Sequence, residues 1–126
     1  MKIMVVDDEP EMVKLIKILY DLNKHEILEA DSGQSCLEML EKGEIADLIL
    51  LDIVMPKING YDVCKKIKCD NRFKKIPVVM FSALAQEKNI EEGFRAGAYE
   101  YITKPFDPYE LKEKVDGILD NLSELD

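Results

Sequence analysis

Leu48-Ile49-Leu50-Leu51-Asp52, followed at once by Ile53-Val54-Met55-Pro56-Lys57-Ile58-Asn59-Gly60, is the stretch whose reading decides the fold. Four apolar residues in a row run into a carboxylate, and a loop marked by Pro56 and Gly60 begins there. A short apolar run without alternation, bounded by turn residues, is the pattern of a strand buried on both faces. Its terminal acid then sits at the carboxyl edge of a sheet, where open α/β sheets bind ligands.

Working outward, the pattern recurs. Ile3-Met4-Val5-Val6 ends in Asp7-Asp8-Glu9-Pro10, and Val78-Val79-Met80-Phe81 ends at Ser82-Ala83. A weaker strand is expected at 26–30, and a last strand at 99–102 leads into Thr103-Lys104-Pro105-Phe106. Helical patterns fill the gaps. Pro10 suits a first helical turn, acids there complement the helix dipole, and Met12, Leu15, Ile16 and Leu19 share one face up to about residue 20. Asp31-Ser32-Gly33 can cap a helix over 34–41, with Leu37 and Leu40 inward. Further helices are expected at 61–68, carrying Val63, Cys64 and Ile67, and at 86–95, stopped by Gly97. Leu111, Val115, Ile118 and Leu122 mark the stripe of a closing helix that leaves 123–126 beyond it. Residues 70–75 read as a polar loop, and His25 as a solvated loop residue.

Five alternations of strand and helix predict an α/β fold, a doubly wound five-stranded parallel sheet covered on both faces. With 126 residues the chain is expected to form a single domain over 1–126, with no repeat, linker or appended segment. The net charge of -9 argues against nucleic acid, since phosphate backbones are gripped by clustered Lys and Arg. Three cysteines, Cys36, Cys64 and Cys69, form no Cys-x-x-Cys pair; reduced thiols packed as small hydrophobes are expected, and with one histidine a zinc site is not. A strand begins within three residues of Met1 and no apolar run approaches a membrane span, so a cytoplasmic protein without a membrane partner is expected.

Parallel strands bring their carboxyl ends to one edge. Asp7, Asp8, Asp52, Ser82 and Lys104, far apart in sequence, therefore converge on one cleft. Two carboxylates about 4 Å apart repel by roughly 4 kcal/mol at an effective dielectric near 20, and one lysine offsets only part of that. A hard divalent cation offsets more, and Mg²⁺ characteristically takes one or two carboxylates with waters and phosphate oxygens. A carboxylate in such a site can itself accept a phosphoryl group as an acyl phosphate.

These residues, together with Met55-Pro56, Gly60, Ala96-Gly97-Ala98 and Tyr101-Ile102-Thr103-Lys104-Pro105-Phe106, resemble the receiver domain of two-component response regulators over essentially the whole chain. Among receivers the likeness is to the stand-alone, CheY-like ones. The resemblance implies a flavodoxin/CheY-like (βα)5 fold with strand order 2-1-3-4-5 and a site between the first and third strands. It implies Asp52 as the phosphoacceptor, served by a histidine kinase as phosphodonor. Asp8 and Asp52 would bind Mg²⁺ directly, Asp7 through water, and the Val54 backbone carbonyl would complete the set, with Mn²⁺ able to substitute. Lys104 would pair with phosphoryl oxygens, Ser82 would hydrogen-bond to one, and Lys104-Pro105 would be cis. Ser82 and Tyr101 would form the switch, read by a downstream protein through the face of the fourth helix, fifth strand and fifth helix of a monomer.

Chemotaxis signalling is the expected setting, with a phosphorelay intermediate handing on to a histidine phosphotransferase as the alternative. An aspartyl phosphatase is disfavoured, because such enzymes carry a second Asp two residues after the nucleophile and Val54 stands there. A nucleotide- or flavin-binding domain would want a Gly-rich loop after the first strand, not Asp7-Asp8-Glu9-Pro10. Val54 and Leu84, two residues after Asp52 and Ser82, also lack side chains that could orient an attacking water, which predicts a long-lived acyl phosphate.

Overall fold

Three runs of unalternated apolar residues become the three central strands: β1 (Lys2–Val6), β3 (Leu48–Asp52) and β4 (Val78–Ser82). The structure, a computed structural model, describes residues 1–20 and 23–125, the last three of these as backbone. β2 (Glu26–Ala30) and β5 (Glu100–Thr103) form the edges, and the order β2-β1-β3-β4-β5 is parallel throughout. This is the expected doubly wound sheet. β1 pairs with β2 on one side and β3 on the other, so the chain reverses its direction of travel across the sheet at β1. The crevice that such a reversal opens lies above the carboxyl ends of β1 and β3.

Helices α1 (Pro10–Leu19) and α5 (Pro108–Leu125) cover one face. There Ile16, Leu111, Val115 and Ile118 pack on Ile3, Val5, Leu50, Val79 and Phe81. Helices α2 (Gly33–Glu41), α3 (Gly60–Lys68) and α4 (Glu87–Arg95) cover the other, where Leu40, Val63 and Ile67 meet Met4, Ile49, Leu51 and Met80. Each central strand thus sends alternate side chains into two cores, which is why its sequence is apolar without alternation. The edge strand β2 is guarded by charge: Glu26 pairs with Lys2 and Glu29 with Lys17. Among the described residues no helix is long and apolar enough to cross a membrane.

The cap signals hold. Pro10 opens α1, the Ser32 Oγ accepts the Ser35 N–H at 3.0 Å, and Gly97 adopts φ +107 just past α4. Four expectations need correction. The closing helix runs on to Leu125, because nothing in the sequence after Leu122 breaks it. The 70–75 segment is a hydrogen-bonded turn over a buried Phe73, and Arg72 ties it to Asp70 and to Glu41 of α2. His25 is half-buried, its ring 5.1 Å from Tyr20 in an edge-on contact. Cys36 and Cys64 are buried as expected, but Cys69, at the end of α3, is exposed.

α4 is lightly anchored: Gly93 is its one fully buried residue, and Phe94 stands 46% exposed. Gly60, by contrast, is pressed against the end of β3, where a Cβ would lie 2.5 Å from the Asp52 carbonyl oxygen and 2.7 Å from the Ile53 Cα. Those neighbours are backbone and cannot swing aside. Gly60→Ala is therefore expected to cost about 1–3 kcal/mol through overpacking. Gly117→Ala, in an exposed turn of α5 with nothing near, is expected to gain about 0.5–1 kcal/mol. Urea denaturation of both variants checks this; equal effects would contradict the packing argument.

Candidate functional site

Asp7 follows β1 and is 2% exposed; Asp52 ends β3 and is 4% exposed. The β1–β3 register pairs Val6 with Leu51, so the two acids follow each other across the switch point. Each is steadied by its own turn. Asp7 Oδ1 accepts the Glu9 N–H at 2.9 Å, and Asp52 Oδ1 accepts the Val54 N–H at 3.3 Å. The loop after Asp52 folds back so that the Gly60 N–H reaches the Ile53 carbonyl at 2.9 Å, with Lys57 at φ 71 making the turn. Asp8 is exposed at the rim. One carboxylate oxygen from each of Asp7, Asp8 and Asp52 lies within 4.8 Å of the others.

Lys104 reaches this group from β5. Its backbone N–H donates to the Ser82 carbonyl at 2.7 Å, and the Lys104-Pro105 peptide is cis, as expected. The side chain crosses the Phe81 ring, with Nζ 4.8 Å from the ring centroid, and Phe106 meets that ring edge-on. Nζ ends 3.2 Å from Asp7 Oδ2 and 3.6 Å from Asp52 Oδ2. One ammonium therefore serves two buried acids at once.

It does not balance them. Burial pushes the Asp52 carboxyl up to about 6; Lys104 opposes the shift, Asp7 adds to it, and the amides of Val54 and Ile53 oppose it. Asp7 is raised as well, by burial first, against the Glu9 amide and Lys104. Three carboxylates facing one ammonium suit a hard divalent cation, which prefers such oxygen donors. The donor set therefore fits a metal ion of that kind.

Ser82 is fully buried at the end of β4, in register with Thr103. Its Oγ accepts the Leu84 N–H at 3.2 Å, and the Tyr101 Oη donates to the Leu84 carbonyl at 2.6 Å. Tyr101 is 7% exposed, its phenol turned inward. Asp7, Asp8, Asp52 and Lys104 are thus gathered into one cluster, while Ser82 and Tyr101 meet beside it through Leu84. The Val54 side chain points to solvent, 57% exposed. Sequence reasoning missed the Glu9 amide and the Phe81–Phe106 platform. Backbone donors carry no side-chain signature, but Phe106 directly after Lys104-Pro105 was a visible cue.

A five-stranded parallel sheet in the order 2-1-3-4-5, with acids at its switch point, defines a doubly wound domain of the flavodoxin and CheY type. The chain belongs to the response regulator receiver domain family, whose model matches residues 3–116. It is 42% identical over 123 residues to chemotaxis protein CheY-3 of Vibrio cholerae serotype O1, covering 97% of this chain and 94% of that protein. A CheY-like receiver domain protein from Methanospirillum hungatei superposes with TM-score 0.89 at 26% identity, covering 99% and 98% of the two chains. The phosphorylated cyanobacterial phytochrome response regulator RcpA gives TM-score 0.81 at 31% identity, over 93% and 89%. The family is that of two-component signalling proteins rather than conventional enzymes.

The raised Asp52 pKa has a definite consequence for stability. In the folded chain Asp52 holds its proton up to about 6, against 3.8 when unfolded. Between those values the folded state binds more protons, so stability rises as pH falls from above 6 toward 4. The gain attributable to Asp52 is at most about 3 kcal/mol. In EDTA-treated protein, Tm at about pH 5 should exceed Tm at about pH 7.5. Asp52→Asn, which removes the buried charge, should raise Tm at the higher pH and flatten the dependence. A wild-type Tm that falls over this acid range would contradict the assignment.

Proposed function

We propose that this chain is a phosphorylation-driven signalling receiver: Asp52 accepts a phosphoryl group from a phosphohistidine on a partner histidine kinase, with Mg²⁺ bound. The observation that carries this reading is the buried Asp52 carboxylate, 3.6 Å from Lys104 Nζ and grouped with Asp7 and Asp8 within 4.8 Å. An Asp52 carboxylate oxygen attacks phosphorus, the P–N bond to the donor imidazole breaks, and its electron pair stays on the imidazole nitrogen. Asp8 and Asp52 would hold the ion, with Asp7 acting through water and the Val54 carbonyl offering a further oxygen. An ion held there would supply charge neutralisation for the transferring group, and Mn²⁺ would be expected to substitute. Lys104 moves its charge from the carboxylates to the phosphoryl oxygens, and Ser82 turns its hydroxyl toward one of them.

The output is a change of partner affinity on the surface of α4, β5 and α5. Exposed Phe94, Tyr99 and Tyr109, at 46%, 51% and 77%, supply the apolar area such a contact needs. Chemotaxis, the setting named for the Vibrio relative, is the setting proposed here.

Incubation with acetyl phosphate and Mg²⁺, read by phosphate-affinity gel and mass spectrometry, tests the chemistry. One phosphoryl group on Asp52 is expected, with none in Asp52→Asn or in EDTA. Lys104→Ala should slow labelling by about tenfold or more, as loss of a transition-state charge partner does. Labelling that persists in Asp52→Asn would sink the proposal.

The lifetime of the product is a separate expectation. Val54 is exposed but apolar, and Leu84 packs toward the core, so neither side chain can hold an attacking water. Phosphate loss from labelled wild type should be slower than from a Val54→Asn, Leu84→Glu double variant, by about tenfold if a positioned water supplies ordinary general-base assistance. Equal decay rates would remove these two positions from the account.

A further inference from the structure

The inward Tyr101 phenol is held by two features of this chain that lie outside the phosphoryl site. The first is on α4. A Cβ at Gly93 would come within 2.8 Å of Tyr101 Cδ2 and 3.0 Å of Met80 Sδ, closer than side chains pack. Glycine at 93 therefore opens the berth that the Tyr101 ring fills. The second is on α3. Tyr61, itself 7% exposed, reaches across to α4, where its Oη donates to the Asn89 carbonyl at 3.0 Å. By helix geometry that carbonyl is also the acceptor for the Gly93 N–H, four residues on. Tyr61 thus pins the turn of α4 whose glycine receives Tyr101. The two phenols are close enough that Tyr61 helps push the Tyr101 hydroxyl up to about 12, after burial. Gly93 is the one buried residue of α4, and this double attachment joins the partly buried Ile90 in seating that helix.

We propose that Gly93 and Tyr61 are positioning residues for the switch aromatic: they keep Tyr101 seated inside before any phosphoryl group arrives. The movement left to phosphorylation is then that of Ser82 and the turn at Leu84. This deepens the receiver reading and rests on it for the word switch, but the posture of Tyr101 is measurable without any phosphoryl chemistry. Under the receiver reading the inward posture of Tyr101 is the one that accompanies a phosphoryl group, and a chain whose binding-competent state is already populated binds its ligand more tightly, in proportion to that population.

Nitration by tetranitromethane, mapped by mass spectrometry on the ligand-free protein, reads the posture, with exposed Tyr109 as internal control. Wild-type Tyr101 should react about tenfold or more slowly than Tyr109, as a state about 90% populated or more requires. In Gly93→Ala, Tyr101 should approach the Tyr109 rate, and the Kd for beryllofluoride with Mg²⁺ should rise by about fivefold or more as the competent fraction falls. Tyr61→Phe keeps the ring and removes only the donor; Tyr101 should become measurably more reactive, and this variant decides the matter if Gly93→Ala does not fold. Tyr101 reacting as fast as Tyr109 in wild type, or staying fully protected in the variants, overturns the proposal. Wild type that fails to bind beryllofluoride while showing the expected nitration pattern would overturn the receiver chemistry and leave the seating of Tyr101 standing.

Discussion

Crowding of carboxylates at one sheet edge is the constraint on which the rest depends. Asp7 follows β1 and Asp52 ends β3, neighbouring strands whose register is set by apolar pairing, so the chain has no freedom to part them. Unit charges about 4 Å apart repel by roughly 4 kcal/mol at an effective dielectric near 20, and burial adds a desolvation cost to each. Lys104, 3.2 Å from one and 3.6 Å from the other, is shared between them. A shared ammonium leaves the cluster short of positive charge, and both acids respond by holding their protons more tightly. An edge in that condition gains from a cation, and under the proposed reading a bound cation would also let it accept a dianionic phosphoryl group.

That arrangement is tolerable only on a stiff support. The central strands are buried on both faces and packed into two separate cores, so the acids ride on backbone that cannot relax apart. Gly60 lets the start of α3 press directly on the Asp52 backbone, and the Phe81–Phe106 pair gives the Lys104 stem a floor. The cost of the unsettled charge is met by ordinary burial elsewhere, which is the usual relation between a functional site and its scaffold.

Much of this was legible in the sequence because it rests on patterns of a few adjacent residues. Unalternated runs such as 48–51 give buried parallel strands, Pro10, Ser32 and Gly97 punctuate helices, and parallel topology then carries Asp7, Asp8, Asp52 and Lys104 to one edge. What escaped depends on contacts between elements. Nothing local singles out Tyr61, whose place in the structure shows only when its hydroxyl is seen on the carbonyl of Asn89. Arg72 reads as loop charge until it closes on Glu41 of α2. Cys69 was expected to be buried with the other two cysteines, but it falls at the helix end, past the buried face that Cys64 and Ile67 share. His25 was expected in solvent and is drawn against Tyr20, a ring contact between the residue just after α1 and the one just before β2 that hydrophobic periodicity does not encode.

Leu84 links the chemistry to the surface. Its amide hydrogen-bonds to the Ser82 hydroxyl, its carbonyl accepts from Tyr101, and its side chain packs on the core beneath α3 and α4. Under the proposed reading, Ser82 rotates to donate its O–H to a phosphoryl group on Asp52, and that rotation carries Oγ away from the Leu84 amide, which loses its acceptor. A backbone donor left without a partner is costly, so the turn must rearrange. The turn leads directly into α4, the most lightly anchored helix of the chain. A local change of charge can therefore shift α4 without disturbing the sheet, provided that something else keeps the helix from drifting beforehand. The Tyr61 bond to Asn89 and the Tyr101 ring against Gly93 supply that restraint, and they attach to α4 itself rather than to the phosphoryl site. Restraint and trigger thus act on opposite ends of one short segment, 84–93, the division that a two-state element requires.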